Sequence, residues 1–206
     1  MNPYRHADKA LKTLKGEMEA EFQNFSTTVG FDELNFLDLK KSVEGLYNRI
    51  DKAVRREFRK VARQVYRDAE DEAMLPHGEF ATGLFLIALF KRFDPVTQYV
   101  YLNEWTRKRD RLVESLMASG GNQQMREALQ RALNLMSDQV RQYADNLTDE
   151  ARHDAFVAAG IEKVRWVSEH DDKTCKTCRE RDGQVYGINE VPEKHRHCRC
   201  YLIAVK

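Results

Sequence analysis

Apolar residues recur at a helical spacing along most of this chain. Between His6 and Val29 they fall at Leu11, Leu14, Met18, Phe22, Phe25 and Val29, with gaps of 3, 4, 4, 3 and 4 residues. That is the period of a helix with one buried face. Lys12, Lys15, Glu17, Glu19 and Glu21 occupy the remaining faces, and Gly30 ends the pattern. After the linker FDELNFLD, the stretch from Asp38 to Ala73 repeats the design with Val43, Leu46, Ile50, Val54, Phe58, Val61, Val65 and Ala69. A stripe of that length predicts an arm of a hairpin or bundle.

Pro76, His77 and Gly78 mark a turn, and the segment from Phe80 to Phe93 is apolar on nearly every side. It reads as the centre of a core or as a surface covered on assembly. Pro95 closes it. A helix is predicted from Val96 to Met117, a glycine tip at Gly120 and Gly121, and a returning helix traced by Met125, Leu129, Leu133, Met136, Val140 and Tyr143. Helix, glycine loop, helix is the order of an antiparallel hairpin. Thr148 reads as the N-cap of a further short helix that ends at Gly160.

The period changes after Gly160. Lys163 to Ser168 alternates and predicts a strand, Glu169 to Lys173 a polar turn, Gln184 to Tyr186 a second strand, and Tyr201 to Val205 a third. Asp182-Gly183 reads as a hairpin signal. Three short strands bury little apolar area by themselves, so a staple is expected. All of the cysteines lie here, as Cys175-x-x-Cys178 and Cys198-x-Cys200, with His195 and His197 beside the second pair. Two residues between thiols let both face one ion, which makes zinc the expected staple. The preferred ligands are Cys175, Cys178, His195 and Cys198, with all four cysteines as the alternative set and Cys200 the main rival. His197 is the weakest candidate because it adjoins Cys198. Reduced cysteines packed as small hydrophobes, or a redox pair, are the competing readings. A redox CxxC would start a helix beside a βαβ unit, whereas strand and turn are expected around this one. Glu169, Asp171, Asp172 and Glu180 lie near in sequence, but nothing selects one of them as a general base.

Charge adds one feature. Lys plus Arg number 34 and Asp plus Glu 33, so the net charge of +1 gives no general attraction to nucleic acid. The distribution is uneven. Arg49, Lys52, Arg55, Arg56, Arg59, Lys60, Arg63 and Arg67 face only Asp51 and Glu57 before the sign reverses at Asp68, Glu70, Asp71 and Glu72. This row is either a solvated face with i,i+4 pairs or a contact for a nucleic acid backbone or acidic partner. No apolar run reaches the roughly 18 residues of a membrane span, and the opening MNPYRHADKALK has no apolar signal core. A cytosol-like compartment is expected, where cysteines serve as metal ligands or free thiols rather than disulfides.

The run W-V-S-E-x-D-x-x-T-C-x-x-C-x-x-x-D-G-x-V-Y, followed by V-P-x-x-H-x-x-C-R-C, resembles the C-terminal module of the phage minor head proteins. These form the head morphogenesis, or Mu protein F-like, family. Trp166, Asp171, Thr174, Cys175, Cys178, Gly183, Pro192, His195, Cys198, Arg199 and Cys200 carry the resemblance. TQYVYLNEWTRKRDRL and QYADNLTDEARHDAFVAAGIEKV extend it over Val96 to Lys206. The resemblance implies a low-copy structural protein of a tailed phage or prophage that associates with the portal and capsid interior. Head assembly and DNA packaging or ejection are the implied roles. The implied partners are the portal protein and major capsid protein, with packaged double-stranded DNA met by the Arg49–Arg67 face. The implied places are the virion, at the capsid interior or portal vertex, and the host cytoplasm during assembly. Some relatives carry a fused toxin or enzyme domain, and none is expected here after Val205.

The expected fold is mainly α, with long amphipathic helices in a bundle or hairpin arm followed by a small β-rich zinc-binding module, α+β in class. Its expected parts are an N-terminal helical region over 1–95, a helical hairpin over 96–160 and the Cys/His-containing β module over 161–206. No catalytic residue is assigned and the chain is not expected to be an enzyme. The rival functions are a metal-dependent nuclease or processing enzyme acting on phage DNA, and a helical DNA-binding scaffold.

Overall fold

The computed structural model describes residues 2–29, 35–74, 88, 99–172 and 174–205, with the backbone alone for 99–104. The expected breaks at Gly30, Pro76–Gly78 and Pro95, and the apolar segment from Phe80 to Phe93, lie outside the described residues. The protein is mainly helical. Helices α1 (Arg5–Thr28), α2 (Phe36–Ala73), α3 (Tyr99–Met117) and α4 (Asn122–Ala158) come first. Strand β1 (Lys163–Val167), short helix α5 (Lys176–Arg181), β2 (Val185–Gly187) and β3 (Tyr201–Val205) follow. No helix among the described residues is long and apolar enough to cross a membrane.

The apolar stripes are the buried faces. Leu14, Met18, Phe22 and Phe25 of α1 are buried, with Leu11 and Val29 half-buried at its margins. All of the stripe residues named for α2, from Val43 to Ala69, are buried. Burying one such large side chain stabilises by about 1.5–3 kcal/mol, so these stripes hold the helices in place.

One boundary differs from the sequence expectation. The final helix does not restart at Thr148. Helix α4 runs unbroken from Asn122 to Ala158, and its buried stripe continues past Tyr143 through Leu147, Ala151 and Ala155. Thr148 is fully buried, and its hydroxyl donates to the Ala144 carbonyl at 2.8 Å. A threonine that bonds back to the preceding turn is satisfied inside a helix and has no need to cap one.

The chain divides into two compact units. One comprises Ala10–Glu57 and Phe90–Arg141 and is built from helix alone among its described residues. Within it Arg49 and Arg56 of α2 bond Glu21 and Glu17 of α1 at 2.7 and 2.5 Å. Tyr47 meets Trp105 of α3 edge-on at 5.7 Å, and Lys108 of α3 reaches Gln139 of α4 at 2.5 Å. The α3–α4 turn has Gly120 N–H donating to Gln124 Oε1 at 2.7 Å. The basic row of α2 is thus partly neutralised from within: Arg49 and Arg56 are held across helices, and Arg55 pairs with Asp51 at 2.6 Å.

The other unit comprises Met1–Lys9, Phe58–Leu89 and Gln142–Lys206. It holds the sheet, whose order is β2-β1-β3 with both neighbours antiparallel to β1. Val164 of β1 packs with Tyr66 and Ala69 of α2 and with Ala155 and Phe156 of α4. Helices therefore cover part of the sheet, and the strands do not depend on a staple alone. The outer side of β3 is occupied as well. Ala204 N–H donates to Glu72 Oε1 at 2.9 Å and the Leu202 carbonyl accepts from Arg152 Nε at 2.6 Å. These side chains satisfy backbone groups that an edge strand would otherwise leave open.

Candidate metal centre

Alternation along β1 sets up the site. Val164 and Trp166 point inward while Lys163 and Arg165 are exposed. Two residues beyond Val164, the fully buried Trp166 packs against Cys178, Cys198 and Cys200. One face of a single strand thus touches the helical core at one end and the thiols at the other.

Cys175 and Cys178 sit at the start of α5, not in strand or turn. Cys175 is the N-cap, and its sulfur accepts from the Cys178 N–H at 3.4 Å. Asp182-Gly183 is likewise not a hairpin turn. It ends α5, with Asp182 as C-cap and Gly183 at φ +75°, a conformation that suits glycine beyond a helix end. The β1–β2 pairing resumes at once: Gly183 N–H donates to Trp166 O and Trp166 N–H to Gln184 O, both at 2.9 Å. The CxxC helix is therefore inserted between two paired strands. Asp182 closes its base by accepting from Ser168 N–H at 2.7 Å, and this bond, first among the causes, holds the Asp182 carboxyl below its ordinary pKa.

The second Cys/His segment folds back onto this helix. His195 Nε2 lies 3.4 Å from Cys175 Sγ and 3.2 Å from Cys178 Sγ, and Cys178 Sγ lies 3.6 Å from Cys198 Sγ. The donors form two overlapping groups, Cys175–Cys178–His195 and Cys178–Cys198–Cys200, with donor atoms in each group within 4.8 Å of one another. Cys178 belongs to both. Either group could hold a metal ion. Tetrahedral zinc, with bonds of about 2.3 Å to sulfur and about 2.0–2.1 Å to nitrogen, puts neighbouring sulfurs roughly 3.8 Å apart and sulfur and nitrogen roughly 3.6 Å apart. The three separations given above fall a few tenths of an ångström below those edges. His195 Nδ1 lies 2.9 Å from the Arg196 carbonyl. A proton shared there leaves Nε2 bare toward the thiols, as a ligating imidazole requires.

The crowding separates the thiols electrically. A hydrogen bond from Cys200 holds the Cys198 thiol down to about 5, while burial pushes Cys178 up to about 12. Cys200 is raised by its bond to Cys198. The Cys178 N–H lowers exposed Cys175, and the bond to the Arg196 carbonyl raises His195. A pocket that stabilises one thiolate and penalises several suits a cation better than it suits bare sulfur.

His197 belongs to neither donor group among the described residues. Its backbone is left-handed at φ 57° and its N–H donates to Gln142 Oε1 at 3.0 Å. Two of the nearby acids are engaged elsewhere: Asp171 accepts from the Thr174 hydroxyl at 2.7 Å, and Glu169 from Asn2 at 2.5 Å.

Several contacts around these donors were not foreseen from the sequence. Lys194 Nζ bonds Asp149 at 2.6 Å and the Cys200 carbonyl at 2.5 Å. The Tyr4 hydroxyl lies 2.7 Å from Asp149 Oδ1 and 3.0 Å from that same carbonyl, and its one proton is shared between the two acceptors. Arg199 grips Asp8 with both terminal nitrogens at 3.0 and 2.9 Å. Tyr4 and Cys200 are 196 residues apart in sequence, and no local pattern signals such a contact.

These features define a mainly helical protein with a small β region that carries clustered Cys and His donors. Residues 108–203, just under half of the chain, match the family model described as Phage Mu protein F like protein. No curated protein and no solved structure matches the chain.

Proposed function

We propose that this protein is a minor structural component of a tailed-phage or prophage head, whose β region is stapled by one structural zinc. The observation that carries the reading is the coincidence of the family match over 108–203 with the donor clusters inside it. Cys175, Cys178, His195 and Cys198 are the proposed ligands, with Cys200 the rival for the fourth place. Zinc would supply closure: it joins the inserted helix α5 to the segment before β3. The portal and major capsid proteins are the proposed partners, and assembly, packaging or ejection the proposed roles.

The donor set favours a structural over a catalytic metal. Four Cys and His ligands close a tetrahedron and leave no position for water. A DNA contact along Arg49–Arg67 is the second reading, with Arg49, Arg55 and Arg56 already paired to carboxylates. The deciding experiment is to tag the protein in a cell that produces the phage heads and fractionate procapsids on a gradient. Co-sedimentation with portal-containing particles is expected, and a protein found only in the soluble fraction would sink the proposal.

A further inference from the structure

We infer that Tyr4 and Asp8, from the opposite end of the chain, are positioning residues that hold the Cys198–Cys200 turn in its metal-binding shape. The inference rests on the zinc reading above and adds to it a part outside the motif.

The turn has little regular structure of its own. No residue from His195 to Cys200 lies in a strand or helix, and His197 stands at positive φ. Side chains from elsewhere fix it. Lys194 reaches Asp149 of α4, and Gln142 of α4 takes the His197 N–H. The remaining anchors come from the start of α1. Lys194 donates to the Cys200 carbonyl, a buried group that needs a donor, and the Tyr4 hydroxyl shares its one proton between that carbonyl and Asp149. Asp8 holds Arg199, the residue between the two thiols, and the Arg199 guanidinium lies over the Tyr4 ring at 4.4 Å. Arg5 and His6 fasten the same segment to Asp68 of α2, at 2.7 and 2.9 Å.

Charge gives the latch a second effect. Three thiolates around one divalent ion would carry a net negative charge, and Lys194, bound to Asp149 and the Cys200 carbonyl, is a cation set beside that segment. Supporting contacts of this kind orient ligands and tune metal affinity.

The test is the rate of zinc transfer from the full chain to a chromogenic chelator at neutral pH, for wild type, Tyr4→Phe, Asp8→Asn and Asp8→Glu. Tyr4→Phe keeps the ring beneath Arg199 and removes only the hydroxyl. Release about five-fold faster is expected for it, the factor that one net hydrogen bond gives. Asp8→Asn should also accelerate release, and Asp8→Glu should restore most of the wild-type rate. Release from Tyr4→Phe at the wild-type rate, or from Asp8→Glu as fast as from Asp8→Asn, overturns the latch while leaving the zinc reading intact. Wild-type protein that holds no zinc overturns the zinc reading and the latch with it.

Discussion

Cys178 Sγ lies 3.6 Å from Cys198 Sγ, across 20 residues of sequence. The contact joins the two ligand segments, and Cys178 is the donor shared by both clusters. Replacing it with serine should therefore abolish stoichiometric zinc, whichever residue completes the tetrahedron. Elemental analysis of the dialysed protein should find about one zinc per wild-type chain, as closure of a single four-ligand site implies, and almost none in Cys178→Ser. Zinc retained in the variant would remove Cys178 from the ligand set. Cys200→Ser separates the rival sets: full retention assigns the fourth place to Cys198, and loss assigns a direct role to Cys200.

Arg152 carries the outer side of β3. Its side chain is 4% exposed, pairs with Glu72 and bonds the Leu202 carbonyl. Arg152→Ala removes a buried guanidinium whose partner Glu72 stays partly exposed, and should cost about 1–3 kcal/mol. Hydrogen exchange should show the loss first at the Ala204 amide, which Glu72 holds. Unchanged protection there would mean that Glu72 is positioned by something else.

Phe156 is fully buried where α4 meets Val164 of β1. Phe156→Ala should cost about 3–5 kcal/mol of unfolding free energy, the usual range for deleting a buried ring. Urea unfolding followed by circular dichroism measures it. A loss under about 1 kcal/mol would mean that the ring contributes little to the core.

Asp182 sets an acid limit on the site. Its carboxyl pKa is lowered, chiefly by the Ser168 N–H. A carboxylate depressed in the folded state contributes stability above its unfolded pKa, and that contribution disappears as pH falls through the lower folded value. The urea midpoint of wild type should therefore fall between pH 5 and pH 3 relative to Asp182→Asn, which lacks the titration. Parallel curves for the two proteins would contradict this.

The α2 stripe and the β1 alternation were legible because each is a local period. Side chains three or four residues apart share a helix face, and alternate strand residues share a sheet face. Val43 to Ala69, and Val164 with Trp166, are buried as those rules require. The errors arose where a residue's local habit met a different setting. Thr148 caps in isolation but bonds Ala144 inside α4, and Asp182-Gly183 makes turns but here ends α5.

The sequence by itself determined the helical stripes, the strand after Gly160 and the two cysteine-bearing segments, because period and spacing are local properties. It also carried the resemblance that the match over residues 108–203 bears out. Tertiary structure alone decided that Cys178 faces both His195 and Cys198, that helices α2 and α4 cover the sheet, and that Tyr4 reaches the Cys200 carbonyl. Those relations depend on where distant segments meet. A donor needs only an acceptor within reach, and sequence distance does not measure reach once the chain has folded.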